Sequence, residues 1–146
     1  MSHYWFNEAK LNDLLRIEGP LGTFFLRESK CENIIFLATG TGIAPIISIL
    51  EDIKEKNYKF SDKKFWIFEG ARYFKDLLLT TNFTNNNINY IPVLSRQLIN
   101  WNGEIGYVQE AVLKQNIDLK NTYIQTDQIL KILSKIYKNV FMLIFG

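Results

Sequence analysis

Apolar residues along this chain fall into two kinds of run. Ile34–Ala38 and the stretches Lys64–Glu69 and Ile88–Leu94 have the length of strands, and Ile34–Ala38 is apolar without a break. An unbroken apolar run is what a parallel sheet buried on both faces requires. Between the first two, Ile46, Ile47, Ile49, Leu50 and Ile53 recur at helical spacing and predict a helix from about Ala44 to Lys56. Further helical runs fall near Phe74–Leu79 and from about Tyr107 to Lys114, while Asn85–Asn87 and the stretch around Trp101–Gly103 read as loop and turn. Asn121–Ile124 reads as a fourth strand, Asp127–Tyr137 as a helix and Val140–Phe145 as a last strand. This alternation from residue 33 predicts an α/β fold, a doubly wound parallel five-stranded sheet with right-handed crossovers.

The first 28 residues differ in kind. Leu14–Glu18 and Thr23–Leu26 are β-rich runs on either side of Gly19-Pro-Leu-Gly22, which predicts two strands joined by a turn. An isolated hairpin is marginal in water, and Trp5, Phe6, Phe24 and Phe25 need something to pack on. The segment is either the edge of a larger sheet that the chain does not contain or a hairpin lying across the main domain.

The pattern turns from strand to helix at Ala38-Thr-Gly-Thr-Gly-Ile-Ala-Pro45. A helix start offers free backbone N–H groups and the positive end of the dipole, and glycine lets an anion approach without meeting a Cβ. Gly40 and Gly42 suit phosphate, Thr39 and Thr41 add hydroxyls, and Pro45 sits near the first helical turn, where its missing N–H costs nothing. The competing account is a tight turn with no ligand, because the third glycine of the usual dinucleotide fingerprint is missing. Ligands of doubly wound sheets lie at the carboxyl ends of the strands. There, Glu69 either accepts hydrogen bonds from a ribose or is a solvated strand-end charge, and Arg72 pairs either with a phosphate or with Asp76. Ser95 and Arg96 hold an adenosine ribose or its phosphate, or are ordinary loop residues.

Composition narrows the field. The 146 residues are 47% hydrophobic and 14% aromatic, enough for a real core in one domain. A net charge of +2, with lysines scattered among carboxylates, argues against nucleic acid. One cysteine excludes an internal disulfide and a metal site built from several thiolates. The apolar runs are far short of the roughly 20 residues a membrane helix needs, so no membrane role and a cytoplasmic location are expected.

Five stretches then carry a resemblance: Gly19-Pro-Leu-Gly22 with Phe24, Ala38–Pro45, Gly70-Ala-Arg72, Pro92-Val-Leu-Ser-Arg96 and Trp101-Asn-Gly-Glu-Ile-Gly-Tyr-Val108. In this order and spacing the chain resembles the nucleotide-binding half of the ferredoxin–NADP reductase-like flavin oxidoreductases. Tyr4-Trp-Phe and Leu14–Arg27 look most like the CDP-6-deoxy-glucoseen reductases of deoxysugar synthesis. The resemblance implies that residues 1–29 are the remnant of an antiparallel flavin-binding β-barrel and that 30–146 form the NAD(P)-binding domain. It implies hydride transfer from NADH or NADPH to a flavin, with a slight lean to NADH because no second basic residue closely follows Arg96. FAD is implied as cofactor where the missing barrel is supplied, and a flavin domain or an iron–sulfur or dehydratase protein as partner. Thr39, Gly40, Thr41, Gly42 and Pro45 would line the pyrophosphate and nicotinamide site, and Arg72, Ser95 and Arg96 would hold the adenosine half. No catalytic side chain is singled out.

The chain also departs from that pattern. The family's Arg-x-Tyr-Ser flavin strand lies upstream of residue 1, and only Ser2 remains from the Gly-x-x-Ser helix start. Where Cys-Gly is expected after the strand at Tyr123, the sequence reads Tyr123-Ile-Gln-Thr-Asp-Gln128, and Cys31 lies too early to replace it. The tail reads Phe141-Met-Leu-Ile-Phe145 instead of Phe-Tyr-x-Asp-x-Phe. These departures predict a gene fragment begun late and shifted in frame after about residue 121. The alternative function is then a non-catalytic nucleotide-binding remnant.

Overall fold

The structure is a computed structural model, which describes residues 3–16, 18–19, 21–22, 24–55, 62–79, 87–96 and 99–126. Strands β1 (Asn33–Thr39), β2 (Lys64–Ala71), β3 (Ile88–Leu94), β4 (Glu104–Ile105) and β5 (Thr122–Thr126) form one sheet in the order β4-β3-β2-β1-β5. Every neighbouring pair is parallel. Helix α1 (Ile43–Glu55) joins β1 to β2, and α2 (Val108–Lys114) precedes β5.

The unbroken apolar run of β1 is explained by a helix on each face. Ile34, Phe36 and Ala38 pack with Ile43, Ile46, Ile49, Leu50 and Ile53 of α1, while Ile35 and Leu37 pack with Val108, Ala111 and Val112 of α2. Side chains alternate across a strand, so adjacent residues of β1 serve different cores. The Phe36 and Phe65 rings lie 6.3 Å apart and nearly parallel, which locks β1 to β2 on the α1 side. At the amino end of the sheet, Trp66 Nε1 donates to Asn33 Oδ1 (3.2 Å), and the Glu32 amide donates to Asn121 Oδ1 (3.1 Å). These bonds fix the register of β1 against β2 and of the chain entering β5.

Four expectations need adjustment or fall elsewhere. Glu104–Ile105, expected as part of a turn region, is the edge strand β4, pairing Val93 with Glu104 and Leu94 with Ile105. Two residues are too few to leave a periodic signal. The helical run expected over Phe74–Leu79 shrinks to one 3-10 turn, Phe74–Asp76, and the chain is extended by Leu77. Strands expected at 14–18 and 23–26 are absent among the described residues. Leu14 is fully exposed, while Phe24 and Leu26 pack on the α1-side core. Without a partner sheet the apolar side chains gain more from the existing core than from a lone hairpin. The helix expected at Asp127–Tyr137 and the strand at Val140–Phe145 lie outside the described residues.

No helix among the described residues is long and apolar enough to cross a membrane. Phe36 is fully buried at the centre of this arrangement. Phe36→Ala is expected to lower the unfolding free energy by about 3–5 kcal/mol, the usual cost of deleting a buried phenyl ring. Urea denaturation followed by circular dichroism checks this.

Candidate functional site

Strand order reverses at β1: β2, β3 and β4 run to one side of it and β5 lies on the other. Beside that switch point, a cleft of about 450 Å3 opens across the carboxyl ends of the strands. Its walls are Thr39 and Gly40 after β1, Gly70, Ala71, Arg72 and Asp76 at and beyond the end of β2, Ser95 after β3, and Gly106–Gln109 leading into α2.

Each wall has a local cause. The turn Gly40–Gly42 is a single 3-10 turn that runs straight into α1, with Thr39 as its extended N-cap making no side-chain cap bond. Gly40 has φ +54°, a left-handed conformation that glycine adopts without strain, and the space where a Cβ would project is open. Gly70 is needed for the opposite reason. A Cβ there would come within 2.9 Å of Thr39 Cγ2 and of Val108 Cγ1, so β1, β2 and the start of α2 close together only around a glycine. Past β2 and β3 the ladder continues: Ser95 N donates to Ala71 O (2.9 Å) and Arg96 N to Arg72 O (3.1 Å). Gly106 N donates to Leu94 O (3.0 Å), which brings Tyr107 and Gln109 to the cleft.

Of the residues singled out from sequence, Thr39, Gly40, Arg72 and Ser95 are brought together in the cleft. Thr41 is exposed, Gly42 is buried inside the turn and Pro45 is half-buried in α1, and none of the three lines the cleft wall. Arg96 is exposed beside Ser95, off the wall. Arg72 is exposed and, among the described residues, forms no ion pair with Asp76. Asp76 Oδ2 instead accepts from the Tyr73 amide at 3.2 Å.

Glu69 fits neither of its two expected roles. It is 1% exposed, and its carboxylate accepts from Leu78 N (2.7 Å), Leu79 N (3.2 Å) and the Tyr90 hydroxyl (2.7 Å). It faces the α1 side with Phe65 and Ile67, not the solvent beyond the strand end. Burial, then the hydrogen bond to Glu69 and its negative charge, push the Tyr90 phenol well above its ordinary value of 10.0. Sequence reasoning also missed Asp76, Tyr107, Val108 and Gln109 as wall residues. Tyr107 and Val108 fall in the Trp101–Val108 stretch that carries the resemblance and Asp76 one turn beyond Arg72, but nothing in the sequence placed them on the wall.

At the end of β5, Gln125 is buried; its Nε2 donates to Phe25 O at 3.2 Å, and its Oε1 has no partner among the described residues. Gln125-Thr126 therefore occupy the end of the strand that follows Tyr123, and Gln125 ties that end to the N-terminal segment.

A parallel, doubly wound sheet with a glycine-bearing strand-to-helix turn at its switch point defines a class, the α/β domains that bind nucleotides outside their strand ends. The chain belongs to the family described as the oxidoreductase NAD-binding domain, which matches residues 36–130. It is 42% identical over 119 residues to the CDP-6-deoxy-L-threo-D-glycero-4-hexulose-3-dehydrase reductase of Yersinia pestis, covering 81% of this chain and 36% of that protein. It is 40% identical over 117 residues to Protein RfbI of Salmonella typhimurium, covering 77% and 34%. The chain thus spans about a third of the length of these curated relatives. Among solved structures it resembles the flavohem-like FAD/NAD-binding domain of nitric oxide dioxygenase from Vibrio cholerae O1 biovar El Tor. The TM-score is 0.68 at 15% identity, over 99% of this chain and 64% of that one, a likeness of fold.

Gly70→Ala is expected to cost about 1–3 kcal/mol through overpacking against Thr39 and Val108, read as a lowered melting temperature. Because the Tyr90 phenol titrates above 10.0 in the folded state, its contribution is complete below pH 10 and is lost as the pH rises further. Tyr90→Phe should therefore flatten the fall of stability above pH 10, measured by denaturation at stepped alkaline pH.

Proposed function

We propose that this chain is the nicotinamide-dinucleotide-binding portion of an NAD(P)H–flavin oxidoreductase of the CDP-6-deoxyhexulose reductase type. The observation that carries this reading is the cleft itself: a glycine turn with an open approach, an exposed guanidinium and a hydroxyl converge at three adjacent strand ends. The family match and the likeness to the Yersinia pestis reductase support it. The chemistry of these cofactors is hydride donation by a reduced nicotinamide and acceptance by a flavin; the protein's part is to place one ring against the other.

In this proposal the Thr39–Gly42 turn receives the pyrophosphate through backbone N–H groups and the dipole of α1, a helix of 13 residues. Thr41, Gly42 and Pro45 support that turn from outside the cleft wall. Arg72, Ser95 and Arg96 receive the adenosine half, with Tyr107 and Gln109 on the facing wall. The Asp76 carboxylate, held in the cleft by the Tyr73 amide, favours a ribose hydroxyl over a 2′-phosphate dianion, which selects NADH over NADPH. Residues 1–29 belong to a flavin-binding barrel that a longer protein would complete, and residues 30–146 to the dinucleotide domain. Half-buried Phe24 and Leu26 on the α1-side core form the seam between the two. FAD binds where that barrel is present, and an iron–sulfur or dehydratase protein takes the electrons onward.

A second reading rests on the stretch Tyr123–Gln128, which lacks the Cys-Gly that the resemblance calls for after the strand at Tyr123: the chain binds a dinucleotide without transferring hydride. Visible flavin absorbance in the purified protein, and its bleaching on addition of NADH, separate the two.

Calorimetric titration of the purified chain tests the binding step that both share. Saturable heat with NADH, weaker with NADPH, is expected, and Arg72→Ala should weaken NADH binding by about tenfold or more, the worth of a hydrogen bond to a charged group. A folded chain giving no heat with either nucleotide would sink the proposal.

A further inference from the structure

A buried carboxylate is expensive unless hydrogen-bonded, and Glu69 meets that requirement without a cation. What its three donors hold in place is informative. Tyr90 belongs to β3, but Leu78 and Leu79 belong to the segment that leaves β2 at Arg72, makes the Phe74–Asp76 turn and returns over the α1 side of the sheet. That segment carries two wall residues of the cleft, Arg72 and Asp76. Among the described residues, the hydrogen bonds within the turn include three local ones: Asp76 N to Tyr73 O (3.0 Å), Leu77 N to Phe74 O (3.2 Å) and Tyr73 N to Asp76 Oδ2 (3.2 Å). Local bonds shape the turn and do not place it on the sheet.

Among the described residues, longer-range ties do the placing. At the start, Arg96 N donates to Arg72 O. At the middle, the Phe74 ring packs against Trp101 at 5.9 Å, and Trp101 itself folds over Gly103 and donates from Nε1 to Glu104 O (2.9 Å). At the far end, the Leu78 and Leu79 amides close on the Glu69 carboxylate, one residue before Gly70 of the cleft floor. The last tie, together with the Leu79 side chain buried with Phe65 and Ile67, links the returning wall to the strand the cleft is built on.

We propose that Glu69 is a positioning residue for the dinucleotide site, its buried carboxylate clamping the Arg72–Leu79 wall to β2 so that Arg72 and Asp76 face the bound nucleotide. This rests on the dinucleotide reading above and extends it to a residue outside the cleft. A carboxylate suits the task because two oxygens accept from two successive amides and a hydroxyl at once, which a neutral side chain of that length cannot do. Tyr90 supports the clamp by fixing the carboxylate's orientation from β3.

The test uses the full chain and four proteins: wild type, Glu69→Gln, Tyr90→Phe, and Ile53→Val as a destabilised control far along α1. NADH affinity is measured by calorimetry well below every melting temperature, and amide exchange is followed across residues 72–79. Glu69→Gln is expected to weaken NADH binding about tenfold and to speed exchange at Leu78 and Leu79, with a smaller effect of the same sign from Tyr90→Phe and none from Ile53→Val. Unchanged affinity in folded Glu69→Gln overturns the proposal, as does an equal loss in Ile53→Val. If Glu69→Gln does not fold, Tyr90→Phe decides in the same way. If wild type binds no NADH, the dinucleotide reading fails and the proposal with it, while exchange still shows whether Glu69 holds the wall.

Discussion

β1 is committed on every side, and that constraint organises the molecule. Its backbone pairs with β2 on one edge and β5 on the other, and its side chains from Ile34 to Ala38 are buried between two helices. A strand with no free edge and no free face can offer a ligand only its end. Because the neighbouring strands are parallel, all their carboxyl ends arrive together, and the cleft forms there.

Closing that end tightly creates a second demand. β1, β2 and the start of α2 meet at Gly70, where a Cβ would press on Thr39 and Val108, and the chain must then turn away without leaving its amides unpaired. Glu69 answers both needs from the last buried position of β2. It accepts the amides of the returning segment on a side chain that is itself buried, so the bonds are worth more than they would be at the surface. The polar chemistry of the strand end is thus divided. A buried carboxylate holds the wall from behind, while Arg72 and Asp76 stand on the wall itself.

In the proposed reading, the task of this domain is positioning. Hydride transfer between two cofactors needs little side-chain chemistry and much geometric control, because a small displacement of one ring costs rate steeply. The N-terminal segment is tied to this domain at two places. Phe24 and Leu26 pack on the α1-side core, and Gln125 at the end of β5 bonds the Phe25 carbonyl, so the segment touches both the core and the strand end.

Much of the architecture was legible in the sequence because it depends on local periodicity. The run Ile34–Ala38 admits only a doubly buried strand, the spacing Ile46–Ile53 only a helix facing it, and Gly40 marks the turn between them. From these, the parallel sheet and the location of a site at the strand ends follow, and Thr39, Gly40, Arg72 and Ser95 do meet there. β4, two residues long, carries no period to detect. The helical run at Phe74–Leu79 was overruled by Glu69, which draws the Leu78 and Leu79 amides into long-range bonds, and the runs at 14–18 and 23–26 lacked a partner sheet. Local pattern determined which segments are strands and helices and where the chain turns. Only the tertiary structure decided what Glu69 does, which glycine must stay bare and which loop residues face the cleft, because those depend on atoms brought together from distant parts of the chain.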